Sequence, residues 1–436
     1  MVLSGIKNID KEIELSFYKK VLPKKIEYQN YNIKAIYGAN GAGKTAIIYA
    51  AEIYKQFVLD KDYLALSLRN SNLINLINQS TNTLSIEMTF AVLSEDNTIQ
   101  DVYSHAVSLH RENNLIVIEK ELLKKLHGNR LNDLNKYEII YEVKNGRLTK
   151  PDNIYLEEIS KNVLSDRSVE SNVFINYINN NIGQQFPFSD ILKVYNFAQN
   201  LTIVINGTDK NYININYILR QIKMLAKAEA ETEPEIFSQM LAKGKVASST
   251  EIIIDKKMYK TFENDMKALC KFIQVFKSDL KTIDIKKDEL TNLYVCYLTF
   301  VYTNKTRIAM QFESTGIKKL MSLFYALRDV EDGKTVFIDE FDANIHDVVL
   351  VKLIGFMQNY TAGQFVFTTH NLGPMDVLQN AKHSIDFLSN DSRLVSWAKI
   401  GNCSAANVYK NGLIKYSPFN IESFDFLGVF GNESNE

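Results

Sequence analysis

A glycine-rich loop near the start of the chain contains the residue types needed to bind phosphate. It consists of Gly38, Ala39, Asn40, Gly41, Ala42, Gly43, Lys44 and Thr45. With this spacing, backbone N–H groups can point at phosphate oxygens, while the lysine reaches the outer phosphates and the threonine hydroxyl binds Mg²⁺. An apolar run over residues 33–37 precedes the loop, and apolar residues at helical spacing follow it. This strand and helix context favours a P-loop over a glycine turn that matches the motif by chance. The sequence therefore predicts a P-loop between a strand and a helix, with the helix amino terminus stabilising the phosphates.

A pair of acids far along the chain could complete the site. Asp339 and Glu340 directly follow the apolar run 336–338, which is typical of a strand buried on both faces of a mostly parallel sheet. We assign Asp339 to a bound Mg²⁺ and Glu340 to the attacking water of a nucleotide hydrolase. Two solvated acids at a strand end would give the same pattern, but the P-loop favours the catalytic interpretation.

The order of the motifs resembles that of ABC-type ATPases. After the P-loop come Glu313-Ser314-Thr315-Gly316-Ile317-Lys318-Lys319-Leu320, then Ile338-Asp339-Glu340-Phe341-Asp342, then Phe367-Thr368-Thr369-His370-Asn371. Over roughly residues 1–60 and 305–430, the chain is similar to the soluble bacterial branch labelled AAA family ATPase. That branch includes ATPase domains related to those of OLD-family nucleases, and ATPases of phage defence or abortive infection. The resemblance implies that the protein binds ATP and Mg²⁺ and hydrolyses ATP.

The resemblance also implies a signature segment that acts on a second copy of the chain. Ser314 and Gly316 would touch the γ-phosphate of the ATP held by the other protomer. Thr315 stands where the family has its first signature glycine, and Ile317 replaces a polar residue. Ser314 is equally suited to cap the helix that begins near Gly316, and the two roles are compatible.

Two further residues receive roles from the same resemblance. Asp342 would be the acid of the loop that faces the dimer partner. His370 would be the switch histidine that senses the γ-phosphate, and it follows a strand pattern over 364–367, as expected for the next strand of the sheet. With these parts, one chain holds half of each active site. The γ-phosphate would hold two chains together, and its loss on hydrolysis would release them.

The distance between the two phosphate motifs predicts an insertion. Lys44 and Asp339 are 295 residues apart (339 minus 44). A compact ATPase core of the family that this chain resembles needs on the order of half that separation between its P-loop and its acidic strand end. We expect an α/β fold, namely a P-loop ABC-type ATPase core with a mixed β-sheet and an antiparallel β subsheet, plus an inserted mainly helical lobe. The expected domains are residues 1–150 and 291–436 for the two parts of the core, and 151–290 for the lobe, which either binds a partner or buttresses the core.

Local patterns predict the elements of these parts. Strands are expected over 85–93, 103–109, 115–118 and 137–143, then over 293–301, 307–312, 384–388 and 394–398, and helices over 217–230 and 257–276. The glutamine that senses Mg²⁺ in the family could be Gln100, Gln184 or Gln185. Because only 66 residues follow His370 (436 minus 370), we expect no nuclease domain of the OLD type there.

Composition limits the function classes. A hydrophobic content of 46% and a charged content of 23% are globular values, and the net charge of −1 gives no overall attraction to nucleic acid or anionic lipid. The three cysteines are scattered and suggest neither disulfides nor zinc, and the remaining histidines have no metal-ligand spacing. No apolar run is long enough for a membrane span, and no signal segment opens the chain, so a cytoplasmic location without membrane contact is expected.

Several functions remain open at this stage. The leading one is a nucleotide-driven dimerisation switch in bacterial anti-phage defence, acting through a homodimer or higher homo-oligomer and a separate nuclease or toxin effector, with nucleic acid as a possible trigger. The alternative is a maintenance or repair ATPase that clamps DNA directly. Two further functions are less favoured. The large insertion argues against a transporter subunit, and Glu340 argues against a scaffold that scarcely hydrolyses ATP.

Overall fold

A computed structural model describes most of the chain. It covers residues 1–18, 21–27, 31–60, 63–64, 67–112, 115–126, 136–145, 147–150, 188–205, 252–289, 292–343, 345–381, 383–398 and 404–412. The helix expected over 217–230, the candidates Gln184 and Gln185, and most of the expected lobe lie outside the described residues. The division into three domains therefore stays a prediction.

The strands and helices are numbered in chain order. The strands are β1 (Val2–Ser4), β2 (Ile13–Glu14), β3 (Ile33–Gly38), β4 (Thr83–Leu93), β5 (Ile99–Glu112), β6 (Leu115–Leu126), β7 (Tyr137–Lys144), β8 (Arg147–Lys150), β9 (Leu201–Val204), β10 (Ile252–Asp255), β11 (Leu280–Glu289), β12 (Leu293–Tyr302), β13 (Arg307–Ala309), β14 (Thr335–Ile338), β15 (Gln364–Thr368), β16 (Ile385–Leu388) and β17 (Leu394–Ser396). The helices are α1 (Lys44–Leu59), α2 (Ser67–Leu76), α3 (Phe188–Gln199), α4 (Tyr259–Phe276), α5 (Thr315–Glu331), α6 (Asp347–Tyr360), α7 (Gly373–Leu378) and α8 (Ala405–Lys410).

A mostly parallel sheet carries the P-loop and the acidic pair. Its strand order is β17-β16-β3-β15-β14-β9, and β17 alone among these strands pairs antiparallel. Nearly all residues of the central strands are buried, in keeping with their mainly apolar sequences. Because β3, β14 and β15 run parallel, the residues that follow them emerge at the same edge of the sheet.

Two antiparallel sheets flank this core. One has the order β2-β1-β4-β5-β6-β7-β8, and the other has the order β10-β12-β11 with β13 paired to β12. The first of these is the subsheet expected beside the P-loop. Helix α1 packs between it and the parallel sheet, in one core that includes Ile47, Tyr54, Ile86 and Val366.

A buried polar cluster fixes α1 to the first antiparallel sheet. The Tyr54 hydroxyl lies 3.0 Å from Nδ1 of His105, and the Tyr141 hydroxyl lies 3.1 Å from Nε2 of the same ring. Tyr141 also donates to a Glu121 carboxylate oxygen at 3.1 Å. All four side chains are fully buried, so each polar contact matters to stability.

The opposite face of the parallel sheet is covered by α5, α6, α7 and α8, which form a second core. A third core lies between α4, α5 and the sheet of β11 and β12. Helix α5 contributes to both, which joins the turn before α5 to the parallel sheet. Among the described residues, no helix is both long and apolar enough to cross a membrane.

The element predictions are largely confirmed. The α/β fold with an antiparallel subsheet is present, and the strands expected over 85–93, 103–109, 137–143 and 293–301 all form. The strand expected over 307–312 ends at Ala309, because Met310–Phe312 turns into one 3₁₀ turn that sends Met310 into the core. The strand β9 was missed, although its sequence Leu201-Thr202-Ile203-Val204 is a β-favouring run.

Candidate nucleotide-phosphate site

The P-loop lies between β3 and α1, as its sequence predicts. Gly43 is the N-cap of α1 and has a φ of 107°, which L residues rarely adopt. A Cβ on Gly43 would also lie 2.9 Å from Cγ1 of Ile9, so both the backbone and the packing require glycine there. Gly41 has a φ of 80°, and Asn8 donates a side-chain hydrogen bond to its carbonyl at 2.6 Å. The amino-terminal segment thus braces the loop.

Lys44 is the first residue of α1 and lies inside the loop. Its Nζ donates to the carbonyls of Gly38 and Ala39 at 2.8 and 3.0 Å, and the side chain is buried. Burial lowers the pKa of the Lys44 ammonium, and the nearby carboxylates of Asp339, Glu340 and Asp342 act in the opposite direction. These carboxylates are therefore close enough to Lys44 to act on its charge.

The two acids follow β14 and are ordered by one threonine. Thr368, the last residue of β15, donates its hydroxyl to Oδ1 of Asp339 at 2.6 Å. The backbone N–H of Glu340 donates to the same hydroxyl oxygen at 2.8 Å. Asp339 is buried, whereas Glu340 is exposed and has a φ of 47°. A left-handed glutamate at the end of a core strand is a strained conformation of the kind that occurs at functional sites.

His370 lies two residues beyond Thr368, beside the loop that carries Asp342. Its backbone N–H donates to Oδ2 of Asp342 at 3.4 Å. Partial burial and the charge of Lys44 lower the pKa of the His370 imidazole, while Asp342, Glu340 and Asp339 raise it. The structure therefore brings together Lys44, Asp339, Glu340, Asp342 and His370, as the sequence predicted.

The signature residues lie elsewhere, at the start of α5 and next to β13. Ser314 is the N-cap of α5 and accepts a hydrogen bond from the N–H of Ile317 at 3.3 Å, so its capping role is confirmed. The preceding Glu313 is buried and accepts from the Tyr302 hydroxyl at 2.6 Å and from the N–H of Ser314 at 3.1 Å. Ser314 itself is exposed, while Gly316 is half-buried in the first turn.

A protein-family model matches this arrangement along most of the chain. It is described as "AAA domain, putative AbiEii toxin, Type IV TA system", and it matches residues 33–376. The match begins at β3 and ends in α7, so it spans the P-loop, the signature, the acidic pair and His370. The chain belongs to this AAA-domain family. The expectation of an AAA-type ATPase is thereby confirmed, whereas the link to OLD-family nucleases stays a prediction.

Solved structures similar to this AAA-domain protein include heads of SMC proteins. They are an Smc head bound to the C-winged helix domain of ScpA (16% identity, 91% of this chain and 96% of that chain covered, TM-score 0.43), an Smc head with an extended coiled coil bound to the C-terminal domain of ScpA from Pyrococcus furiosus (15%, 91% and 95%, 0.39) and the SMC head domain from Thermotoga maritima (13%, 91% and 98%, 0.31). Among curated proteins, none matches the chain.

The residues of this AAA-domain protein fit a Mg²⁺-bound nucleoside triphosphate. A Cβ built on Gly41 would meet nothing within 4 Å, so the loop presents an open surface of backbone groups there. The amino terminus of α1 lies directly behind that surface and favours an anion. Thr45 and Asp339 supply a hydroxyl and a carboxylate, which are oxygen ligands that Mg²⁺ prefers. Lys44 thus supplies positive charge for the phosphates, and the nearby Asp339 supplies negative charge for a metal ion.

Two residues of the site carry roles that sequence reasoning did not assign. Thr368 ends the strand beside the acidic pair, and its position two residues before His370 is a signal that could have revealed it. Asn8 is 33 residues from Gly41, and its neighbours match no phosphate motif. Its role as a brace becomes visible only when the chain is folded.

Proposed function

We propose that the protein is an ATP-hydrolysing switch in which two copies enclose ATP. The P-loop of one copy binds the triphosphate, and Ser314 and Gly316 of the other copy close over it. The observation that carries this proposal is the arrangement around Lys44. Three carboxylates act on the charge of Lys44, and Lys44 in turn acts on His370, whereas Ser314 caps a helix that starts beside another sheet. This division supports our proposal that a second chain supplies the signature.

The residues at the edge of the parallel sheet have distinct chemical roles in this proposal. The N–H groups from Gly38 to Thr45 and the ammonium of Lys44 bind the phosphates. Thr45 and Asp339 would hold Mg²⁺, which neutralises the charge that develops on the phosphate oxygens. Glu340, exposed at the strand end, orients the attacking water and accepts its proton.

His370 and Asp342 connect the chemistry to the interface. The pKa of His370 is lowered, so the ring is neutral at pH 7 and can accept or donate a hydrogen bond to the γ-phosphate or the water. Its backbone is tied to Asp342, in the loop that would face the partner. Loss of the γ-phosphate would then alter the contact between the two copies.

The biological setting that we propose is bacterial anti-phage defence or abortive infection. The support is the family description, which names the AbiEii toxin and a toxin–antitoxin system. In this setting the ATPase acts in the cytoplasm and controls a separate effector, such as a nuclease or toxin. The part of the chain that the structure describes offers no feature that favours direct clamping of DNA.

The Glu340→Gln variant tests the function. The amide retains the shape of the side chain but cannot accept the proton of the attacking water, so we expect phosphate release to fall at least ~100-fold while ATP still binds. The ATP-bound dimer should therefore accumulate. Phosphate release, nucleotide affinity and molecular mass with and without ATP would be measured on the full chain.

Glu331→Gln, at the exposed end of α5, is the matched control and should behave as the wild type. Unchanged turnover in Glu340→Gln would remove Glu340 from catalysis. If the mass stays that of a monomer at all ATP concentrations, the proposal that two copies share the site is wrong.

A further inference from the structure

Phe312, directly before the signature, is an exposed aromatic residue on a fixed turn. Its exposed fraction is 77%, whereas Met310, two residues before it, and Glu313, directly after it, have exposed fractions of 5% and 6%. Within the described residues, no other aromatic ring packs against it. A single exposed apolar side chain is ordinary on a protein surface, and Phe312 differs from such residues because it lies two positions before the signature serine Ser314.

The turn that carries Phe312 is held from both ends. Met310 packs into the core between α4, α5 and β12. Glu313 accepts the hydrogen bond from Tyr302, which anchors the other end of the turn to β12. The carbonyl of Gln311 accepts a hydrogen bond from Nζ of Lys318 at 2.7 Å. These contacts fix the backbone of the turn, so Phe312 stays at the surface unless Met310 or Glu313 leaves the core.

A fixed, exposed aromatic side chain is well suited to anchor a protein interface. It has few rotatable bonds, so its immobilisation costs little conformational entropy, and its burial removes a large apolar area from water. Two other exposed aromatic residues, Phe356 and Tyr360, differ in this respect. Phe356 and Tyr360 lie on α6 and stack on each other with ring centroids 5.3 Å apart, which already removes part of their surface from water.

We propose that Phe312 packs against a second copy of this chain when ATP is enclosed between the two. This inference rests on the proposed function, since Ser314 lies two residues further along and would face the partner's nucleotide. The same turn would then supply two contacts to the partner, a polar one from Ser314 and an apolar one from Phe312. In a twofold dimer the apolar contact occurs twice, so its effect on assembly counts twice.

The test uses the full chain with the Glu340→Gln substitution, which slows turnover. Dimerisation in saturating ATP would be measured by sedimentation over a range of protein concentrations. The proteins compared are the Glu340→Gln parent and the same parent with Phe312→Ala or Phe312→Leu. Burial of two phenylalanine side chains predicts that Phe312→Ala weakens the dimer by at least ~100-fold. Phe312→Leu, which retains much of the apolar area, should restore most of this loss. ATP affinity of the monomer should not change, because Phe312 acts on the other copy.

Val275→Ala provides the matched control. Val275 is 65% exposed near the end of α4, outside the signature turn, and its replacement should leave the dimer unchanged. If Phe312→Ala dimerises as tightly as its parent, or if Val275→Ala weakens the dimer equally, the role of Phe312 is wrong and the proposed function stands. If the Glu340→Gln parent does not dimerise in ATP, the proposed function fails first and the inference fails with it.

Discussion

The edge of the parallel sheet and the signature turn differ in where their polar groups point. At the sheet edge, side chains and backbone groups bond to one another. Thr368 links Asp339 to Glu340, Lys44 donates to the loop carbonyls, and Asp342 accepts from the backbone of His370. At the signature turn, the buried bonds of Glu313 hold the backbone, whereas Ser314 and Phe312 face outward.

This difference indicates a division of labour within one chain. In the proposed function the sheet edge is preorganised for phosphate and metal, because the side chains that would bind them are already oriented by hydrogen bonds from neighbouring strands. The signature turn would instead contact a second chain, because its fixed part is buried and its side chains Phe312 and Ser314 are exposed. Substitutions at the two places should therefore fail in different ways, and the following tests separate them.

The largest expected effect comes from mixing two inactive variants. Lys44→Ala removes the phosphate-binding ammonium, and Ser314→Arg places a bulky charge at the shared surface. Each alone should lose nearly all turnover. In an equal mixture about half of the dimers are mixed, and each of these has one intact site, so phosphate release should recover to about one quarter of the wild-type value.

The mixing experiment has a direct control and a clear negative result. Lys260→Ala, at an exposed position of α4, should not need complementation. No recovery in the mixture, when each variant is folded and mixed dimers form, would mean that Lys44 and Ser314 do not serve the same nucleotide. The two regions compared above would then act independently.

A smaller effect is expected for Thr368→Val, which acts on the sheet edge alone. Valine has nearly the same shape but cannot donate to Asp339 or accept from the N–H of Glu340. The acids would lose their orientation, and we expect a 10- to 100-fold lower kcat, roughly the cost of losing a partner of a metal-binding carboxylate. Steady-state kinetics at several Mg²⁺ concentrations would measure this loss.

Thr89→Val, on the exposed side of β4, is the matched control for this substitution. ATP-dependent dimerisation should persist in Thr368→Val, because the signature turn is untouched. A variant that retains full kcat would show that Thr368 only caps the strand.

The smallest expected effect is a change in the titration of His370. Lys44 lowers the pKa of this ring below its ordinary value of 6.5 by charge repulsion, in addition to the effect of burial. Lys44→Met should therefore raise the pKa of His370, which NMR titration of the ring would detect. In the wild type, the free energy of unfolding should decrease as the pH falls below 6.5, since the unfolded chain takes up this proton first. This decrease should be smaller in Lys44→Met.

Lys260→Met serves as the control for the loss of a lysine charge far from the ring. An unchanged or lower pKa of His370 in Lys44→Met would mean that the two side chains do not share one electrostatic environment. The sheet edge would then be less compact than its contacts indicate.

The sequence predicted those parts of the fold that depend on local pattern. The P-loop is specified by its glycines and by the strand and helix around it, and the alternation of β4 to β7 predicts the antiparallel subsheet. His370 was assigned from the family resemblance and from the apolar strand pattern before it, and that strand pairs in parallel with β14, which leads to Asp339. In each case, the signal lies within about ten residues of the site.

The missed features depend on contacts between distant segments. Asn8 reaches Gly41 only because β1 and its following turn fold against the loop. The run Leu201–Val204 is a recognisable strand, but no local property states that it pairs with β14. Likewise the end of β13 at Ala309 follows from burial of Met310 in a core built by α4 and α5. Such tertiary effects override local propensity.

The pairing of β9 with β14 has a mechanical consequence. The carbonyl of Val204 accepts a hydrogen bond from the backbone N–H of Asp339 at 2.8 Å. Strand β9 belongs to the stretch between the P-loop and the acidic pair, so a pull on that stretch would reach the peptide of Asp339 through the hydrogen bonds that join β9 to β14 and to Asp339. In the proposed function, a small displacement of the Asp339 carboxylate would lower the rate, because catalysis depends on exact positioning.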